Sequence, residues 1–128
     1  MGKNFTFYCR VLTSADHIVS GESDLQDATS ETWLSGYRQE AGEGRGELRQ
    51  GSSGHAKTLT LDRLASVYVP CTPPGTTPDD AVQQYALITE ARVIGETRIH
   101  GNELREALAE FAVQLSHHAY KVGKCRKA

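Results

Sequence analysis

Tyr85 to His100 reads YALITEARVIGETRIH, and this stretch decides the fold class. From Thr89 onward the residues alternate. Thr89, Ala91, Val93, Thr97 and Ile99 are small or apolar, while Glu90, Arg92, Glu96, Arg98 and His100 are charged or polar. Period two is the pattern of a strand with one buried face and one wet face. A two-residue turn at Gly95-Glu96 would pair Val93 with Arg98 and Arg92 with Ile99, mixing apolar and charged partners on each face. One long strand, bulged at Gly95, keeps the faces separate and is the expected form.

The same period appears upstream. Asn4 to Leu12 (NFTFYCRVL) sets Phe5, Phe7, Cys9 and Val11 against Thr6, Tyr8 and Arg10, which predicts a strand. Lys57 to Val69 (KTLTLDRLASVYV) sets Leu59, Leu61, Ala65, Val67 and Val69 on one side, with Arg63 as the exception. It reads as a second long strand. Between them, Thr13 to Ser30 is polar and reads as a long loop. Glu31 to Gln39 (ETWLSGYRQ) fits a strand or part of a helix starting near Ser23; its Trp, Thr and Tyr favour the strand. Ala41 to His55 carries Gly42, Gly44, Gly46, Gly51 and Gly54 and little to bury, the composition of a flexible loop.

All four prolines fall between Pro70 and Pro78 and end strand pairing there. Thr77-Pro78-Asp79-Asp80 is a helix start, with cap, first-turn proline and acids at the positive dipole end. It predicts a short helix, Pro78 to Gln84. In Gly101 to Val122 two periods compete. Leu104, Leu108, Phe111, Leu115 and Val122 make a helical stripe that Asn102 caps and Gly123 ends. Phe111, Val113, Leu115 and Ala119 also alternate with polar neighbours. Periodicity alone favours the helix by a small margin.

The chain has 128 residues and a formal charge of -2, a length that fits a single domain. The charge gives no global attraction to nucleic acid or to an anionic membrane. Asp16 to Tyr37 is acidic and holds no Lys or Arg, whereas 121–128 is a basic tail. Phe5 to Leu12 is too short, and carries Arg10, to be a signal segment or a membrane span. The expectation is synthesis in the cytoplasm, with any export independent of a cleaved signal peptide. Cys9, Cys71 and Cys125 are far apart and odd in number, so they read as idle thiols rather than a disulfide framework or metal set.

No nucleophile motif, carboxylate pair or metal spacing stands out, so no catalytic residue, metal or cofactor is expected. His117 and His118 are adjacent and diverge on any element. Gln39 to Gly44 fits the acyl-CoA pyrophosphate pattern of acetyltransferases, a short pattern that has to open a helix. The ladder Glu90, Arg92, Glu96, Arg98 can meet its own image in a second copy. Exposed pairs contribute about 0–1 kcal/mol each, so such a ladder sets register. Affinity has to come from strand edges and apolar contacts.

The order of these pieces resembles the haemolysin-coregulated (Hcp) tube proteins of type VI secretion, akin to phage tail-tube proteins. The resemblance lies in Ile18-Val19-Ser20-Gly21-Glu22-Ser23, in Glu31 to Tyr37, in the glycine loop ending at Lys57 with Asp62 in the next strand, in Thr76-Thr77-Pro78, in Tyr85 to Ile88 through Val93-Ile94, and in Glu103-Leu104, Glu106, Phe111-Ala112 and Tyr120-Lys121. It implies a mainly β fold: an antiparallel β-barrel or two-sheet domain with one short helix, and with Leu108 to Tyr120 as a strand. It implies hexameric rings stacked into a tube, with effector, spike or sheath partners and no catalysis. The loop 41–55 becomes an arm reaching the next ring. The candidate interface is then Arg45, Arg49 and His55 on the arm with Glu90, Arg92, Glu96 and Arg98 on the ladder. The alternative is an α+β fold of three long strands and a C-terminal helix, a protein-binding regulator from a mobile element. A small acyl-CoA-dependent transferase is the third reading.

Overall fold

In the computed structural model, residues 6–12, 18–72, 85–95 and 99–125 are described. Six strands and two helices follow one another as β1 (Thr6–Leu12), β2 (Ile18–Asp27), α1 (Ser30–Gly42), β3 (Arg49–Ser53), β4 (Ala56–Leu61), β5 (Leu64–Pro70), β6 (Tyr85–Ile94) and α2 (Gly101–Val122). The strands form one antiparallel sheet in the order β1-β2-β6-β5-β4-β3. A barrel is not shown: among the described residues, β1 and β3 stand at opposite ends of an open sheet. The C-terminal helix belongs to the α+β alternative.

β6 is a strand, as its alternation predicts, and it runs through the middle of the sheet. Thr89, Ala91 and Val93 are buried, whereas Glu90 and Arg92 on the other face are only half-buried. The strand stops at Ile94 rather than bulging through Gly95, whose φ of 86° is left-handed. Glu96 to Arg98 lie outside the described residues, as does the helix expected at Pro78 to Gln84.

Lys57 to Val69 is a hairpin, not one strand. Leu61 pairs with Leu64 across a turn at Asp62-Arg63. The turn explains why Arg63 broke the pattern. It also moves Leu64, Ser66 and Tyr68 to the face of Leu59 and Leu61, and sends Ala65, Val67 and Val69 to the other.

Among the described residues, each face of the sheet carries one helix. On the first, Ala65, Val67, Ala91 and Val93 pack with Leu104, Leu108 and Ala112 of α2. The ambiguity in 101–122 is thus settled for helix, and the strand implied for Leu108 to Tyr120 is overturned. Leu104, Leu108, Ala112, Leu115 and Ala119 are all buried, at spacings of three and four that only a helix brings to one side.

On the second face, Trp33 of α1 packs with Leu59, Leu61, Leu64, Tyr68 and Ala86. The strand expected at Glu31 to Gln39 is therefore a helix. Thr29 caps it by accepting from the Thr32 backbone N–H at 3.1 Å. Trp33, Leu34, Tyr37 and Ala41 then share the inward side. The Trp33 Nε1–H donates to the buried Ser66 hydroxyl at 2.9 Å, so its polar edge is satisfied in the core.

The loop expected at Thr13 to Ser30 contains β2. Its inward positions are Val19, Gly21, Ser23 and Leu25, small where α2 comes close. A Cβ on Gly21 would sit 2.6 Å from Leu115 Cδ2 and 3.0 Å from Phe111 Cε2. Ser23 and Thr89 share a buried hydroxyl hydrogen bond of 2.6 Å between β2 and β6, so their polarity costs little. The glycine loop 41–55 likewise contains the end of α1 and all of β3.

The thiols are not idle. Cys71, just after β5, is joined to Cys125, just after α2, with their Cα atoms 5.0 Å apart. The bond ties the end of α2 to the sheet, where Leu87 and Ala119 complete a third buried cluster.

Candidate interaction site

Two regions merit a functional reading: a carboxylate cleft beside α1 and the two ends of the sheet.

The cleft, about 200 Å³, is lined by Ser20, Glu22, Asp24 and Gln26 of β2, Ile88, Glu90 and Arg92 of β6, and Tyr37 of α1. The register of β2 on β6 sets Glu22 directly opposite Glu90. Like charges so placed repel, and the neighbours answer this. The Tyr37 hydroxyl donates to Glu90 Oε1 at 2.7 Å. Arg92 donates from Nε to Glu90 Oε2 at 2.6 Å and from Nη2 to Glu40 Oε1 at 3.0 Å. The Tyr37 hydroxyl is pushed up by burial and by the Glu90 charge. The Arg92 guanidinium is held more firmly protonated, chiefly by its hydrogen bond to Glu90.

Among the described residues no cation is bonded to Glu22. A hydrogen bond to Asp24 and that group's charge, followed by burial and by Glu90, raise its pKa to about 7. The cleft can therefore hold a proton on Glu22 at neutral pH. Its other charges are already matched within the chain.

This geometry changes the reading of the ladder. Glu90 and Arg92 lie three strands in from the β3 end, half-buried in bonds to α1. Glu96 and Arg98 are outside the described residues. Arg49 lies on β3 and donates to Glu47 at 3.1 Å and to Asn102. Arg45 is exposed in the segment between α1 and β3, and His55 is exposed in the β3–β4 turn. His55 also lines a cleft of about 450 Å³ with Thr29, Ser30, Glu31, Lys57, Tyr68 and Pro70. The fold thus sets Arg49 and His55 along the β3 edge and its turn, but places Arg45 at the β4–β5 turn, where its carbonyl accepts from the Asp62 N–H, so the three arm residues are not brought together. Gln39 to Gly44 closes α1 instead of opening a helix, which removes the geometry an acyl-CoA pyrophosphate needs.

The ends of the sheet differ. β3 has five residues, RQGSS, all exposed; a short, polar strand is how proteins blunt an edge. β1 has seven residues, TFYCRVL, and is longer and richer in aromatic and branched residues. Among the described residues its backbone pairs with β2 alone.

The hydrogen-bond phase shows which of its groups point outward. The Cys71 N–H donates to the Tyr85 carbonyl and the Val93 N–H to the Arg63 carbonyl. Odd-numbered residues of β6 thus bond to β5, and even-numbered ones turn to β2. The registers then make the odd residues of β2 bond to the odd residues of β1. The N–H and C=O groups of Thr6, Tyr8, Arg10 and Leu12 consequently point away from the sheet. Nothing in composition indicated this; it needs the register of three strand pairs.

Comparison with protein-family models, with curated proteins and with solved structures finds no match to this chain.

Proposed function

We propose that this protein works by association: it is a structural protein whose sheet is continued across the β1 edge by another polypeptide, in the first place its own copy. The observation that carries this reading is the outward row of backbone donors and acceptors on β1, at the end of an open six-stranded sheet. Such a row is a template for a further strand.

The finest form of the reading is a ring or tube subunit of a contractile injection or phage-tail-like system. Six alternately antiparallel strands support it, because β1 and β3 run in opposite directions. Copies set side by side can therefore keep antiparallel pairing with each helix on its own side. Export is supported by the Cys71–Cys125 bond, since disulfides persist in oxidising compartments. No helix among the described residues is long and apolar enough to cross a membrane.

The second reading, a compact module that binds a different protein, is favoured by α2. A 22-residue helix stands where the tube resemblance implies a strand. Sedimentation equilibrium separates the two. Self-assembly requires a mass that is a multiple of 14.0 kDa; a monomer at high concentration leaves the partner-binding module.

A further inference from the structure

We infer that the joint between copies is a two-fold antiparallel pairing of β1 with β1 of a second copy, centred on Cys9. The inference rests on the self-association proposed above but departs from its ring form, whose side-by-side copies would join β1 to β3. Three observations lead to it.

The first is reach. All seven residues of β1 overlap when Thr6 faces Leu12 of the second copy, Phe7 faces Val11, Tyr8 faces Arg10 and Cys9 faces Cys9. Pairing β1 with β3 of a second copy engages five residues at most.

The second is phase. Tyr8 and Arg10 present their N–H and C=O groups outward, so Tyr8 and Arg10 of opposite copies form mutually hydrogen-bonded pairs. The same two-fold axis, perpendicular to the sheet, keeps α1 of both copies on one face and α2 on the other. The result is one continuous sheet twice the width of the monomer's.

The third is cross-strand chemistry. At the two-fold register positions Phe7 stands opposite Val11 and Tyr8 opposite Arg10, residue types that pair well across antiparallel strands. The β1–β3 joint, centred on Cys9 and Gly51, sets Phe7 against Ser53 and Val11 against Arg49, which offers neither.

Cys9 then supplies a reporter. Cys71 and Cys125 hold each other, so Cys9 is the one cysteine left over in the chain, a pattern that goes with intermolecular pairing. On the axis it is a non-hydrogen-bonded pair, whose Cα atoms lie about 4.5 Å apart. A disulfide spans Cα separations of about 4.4–6.8 Å. Oxidised glutathione as added oxidant would link two Cys9 thiols, releasing two molecules of reduced glutathione.

The test uses the full chain with Cys71–Cys125 intact. Under oxidised glutathione, non-reducing gels are expected to show a covalent dimer that Cys9→Ser abolishes. Dimer is expected to form about tenfold faster, or more, than in a Cys9→Ser/Ser52→Cys chain, whose thiol sits on the β3 edge, because the joint raises the local thiol concentration. Cys9→Ser itself is expected to remain a dimer in sedimentation.

Tyr8→Pro removes an N–H that points away from β2 and pairs with no strand among the described residues, so it is expected to leave the circular dichroism unchanged and convert the dimer to monomer. Arg10→Pro is expected to do the same. If the native chain is monomeric at high concentration, both the joint and self-association fall. If the native chain associates but both proline variants remain associated, the joint falls and self-association stands. Linked chains longer than dimers in a Cys9 plus Gly51→Cys protein, whose new thiol faces Cys9 only in the β1–β3 register, would move the joint to β1–β3 and overturn the two-fold arrangement.

Discussion

Reducing the Cys71–Cys125 bond is expected to remove a large share of the stability, by an amount set by how far apart the two cysteines are in the chain. The bond closes a sequence separation of 54 residues. A closed loop of that size lowers the entropy of the unfolded chain by about 14 cal/mol/K, or about 4 kcal/mol at 25 °C. Unfolding a chain of this length carries an entropy of about 270 cal/mol/K near 60 °C. The melting temperature is therefore expected to fall by about 15 °C. The assay is thermal unfolding followed by circular dichroism, with the protein oxidised, reduced, and as Cys71→Ser/Cys125→Ser.

The native contacts around the bond sharpen the test. Leu87 and Ala119 remain buried beside it, with Leu25 and Tyr120 packed against them, so the reduced protein is expected to stay folded at 25 °C with α2 in place. Melts that coincide within about 3 °C with and without reductant would refute the loop-closure argument. Loss of helical signal at 25 °C would show that α2 depends on the bond rather than on its packing against β5 and β6.

Three further outcomes follow from single sites. Arg105 is buried on α2, where it donates to the Glu47 and Thr60 carbonyls and to Asp62 Oδ1. Arg105→Ala is expected to cost about 2–3 kcal/mol in urea unfolding, because it removes a buried charged donor together with its bonds to two carbonyls and a carboxylate. Gly21→Ala forces a methyl against Leu115 and Phe111 and is expected to cost about 1–3 kcal/mol by overpacking, read from the same urea curves. The Glu22 carboxyl is raised from 4.5 to about 7 in the folded state. Between those values the folded chain binds more protons than the unfolded one, so stability falls as pH rises from 4.5 to 7 and levels off above. Glu22→Gln is expected to flatten that window and to raise the melting temperature above that of the native chain at pH 8 but not at pH 5.

The strands with bulky alternation were legible in the sequence. β1 and β6 announced themselves because Phe, Tyr, Val and Ile alternate with charge, and the inward set Thr89, Ala91 and Val93 is buried as read. β2 escaped because its inward residues are Gly21 and Ser23, chosen small for the approach of α2; a hydrophobicity pattern is blind to a face that is buried through smallness. α1 escaped because Trp33 and Tyr37 favour strands by propensity, while their spacing of four and the Thr29 cap favour helix, and packing decided.

The resemblance to tube proteins gave the wrong element at Leu108 to Tyr120, where both periods fitted and only burial at spacings of three and four distinguishes them. Arg63 was the visible clue to the β4–β5 hairpin. The Cys71–Cys125 bond was not legible, since no spacing in sequence brings the end of β5 to the end of α2. For the candidate site, the alternating charges of Glu90 and Arg92 were visible, but their satisfaction by Tyr37 and Glu40 required knowing that α1 lies over them. The outward phase of β1 was beyond reach without the sheet order.

The most direct measurement is amide hydrogen exchange at Tyr8 and Arg10. Both N–H groups point away from the monomer's own sheet, so in an isolated molecule they would exchange at nearly open-chain rates while that of Cys9, bonded to β2, is protected. If copies continue the sheet, Tyr8 and Arg10 are expected to be protected to the same degree as Cys9, and to lose that protection on dilution below the association range. Rapid exchange at both positions at every concentration would contradict the account.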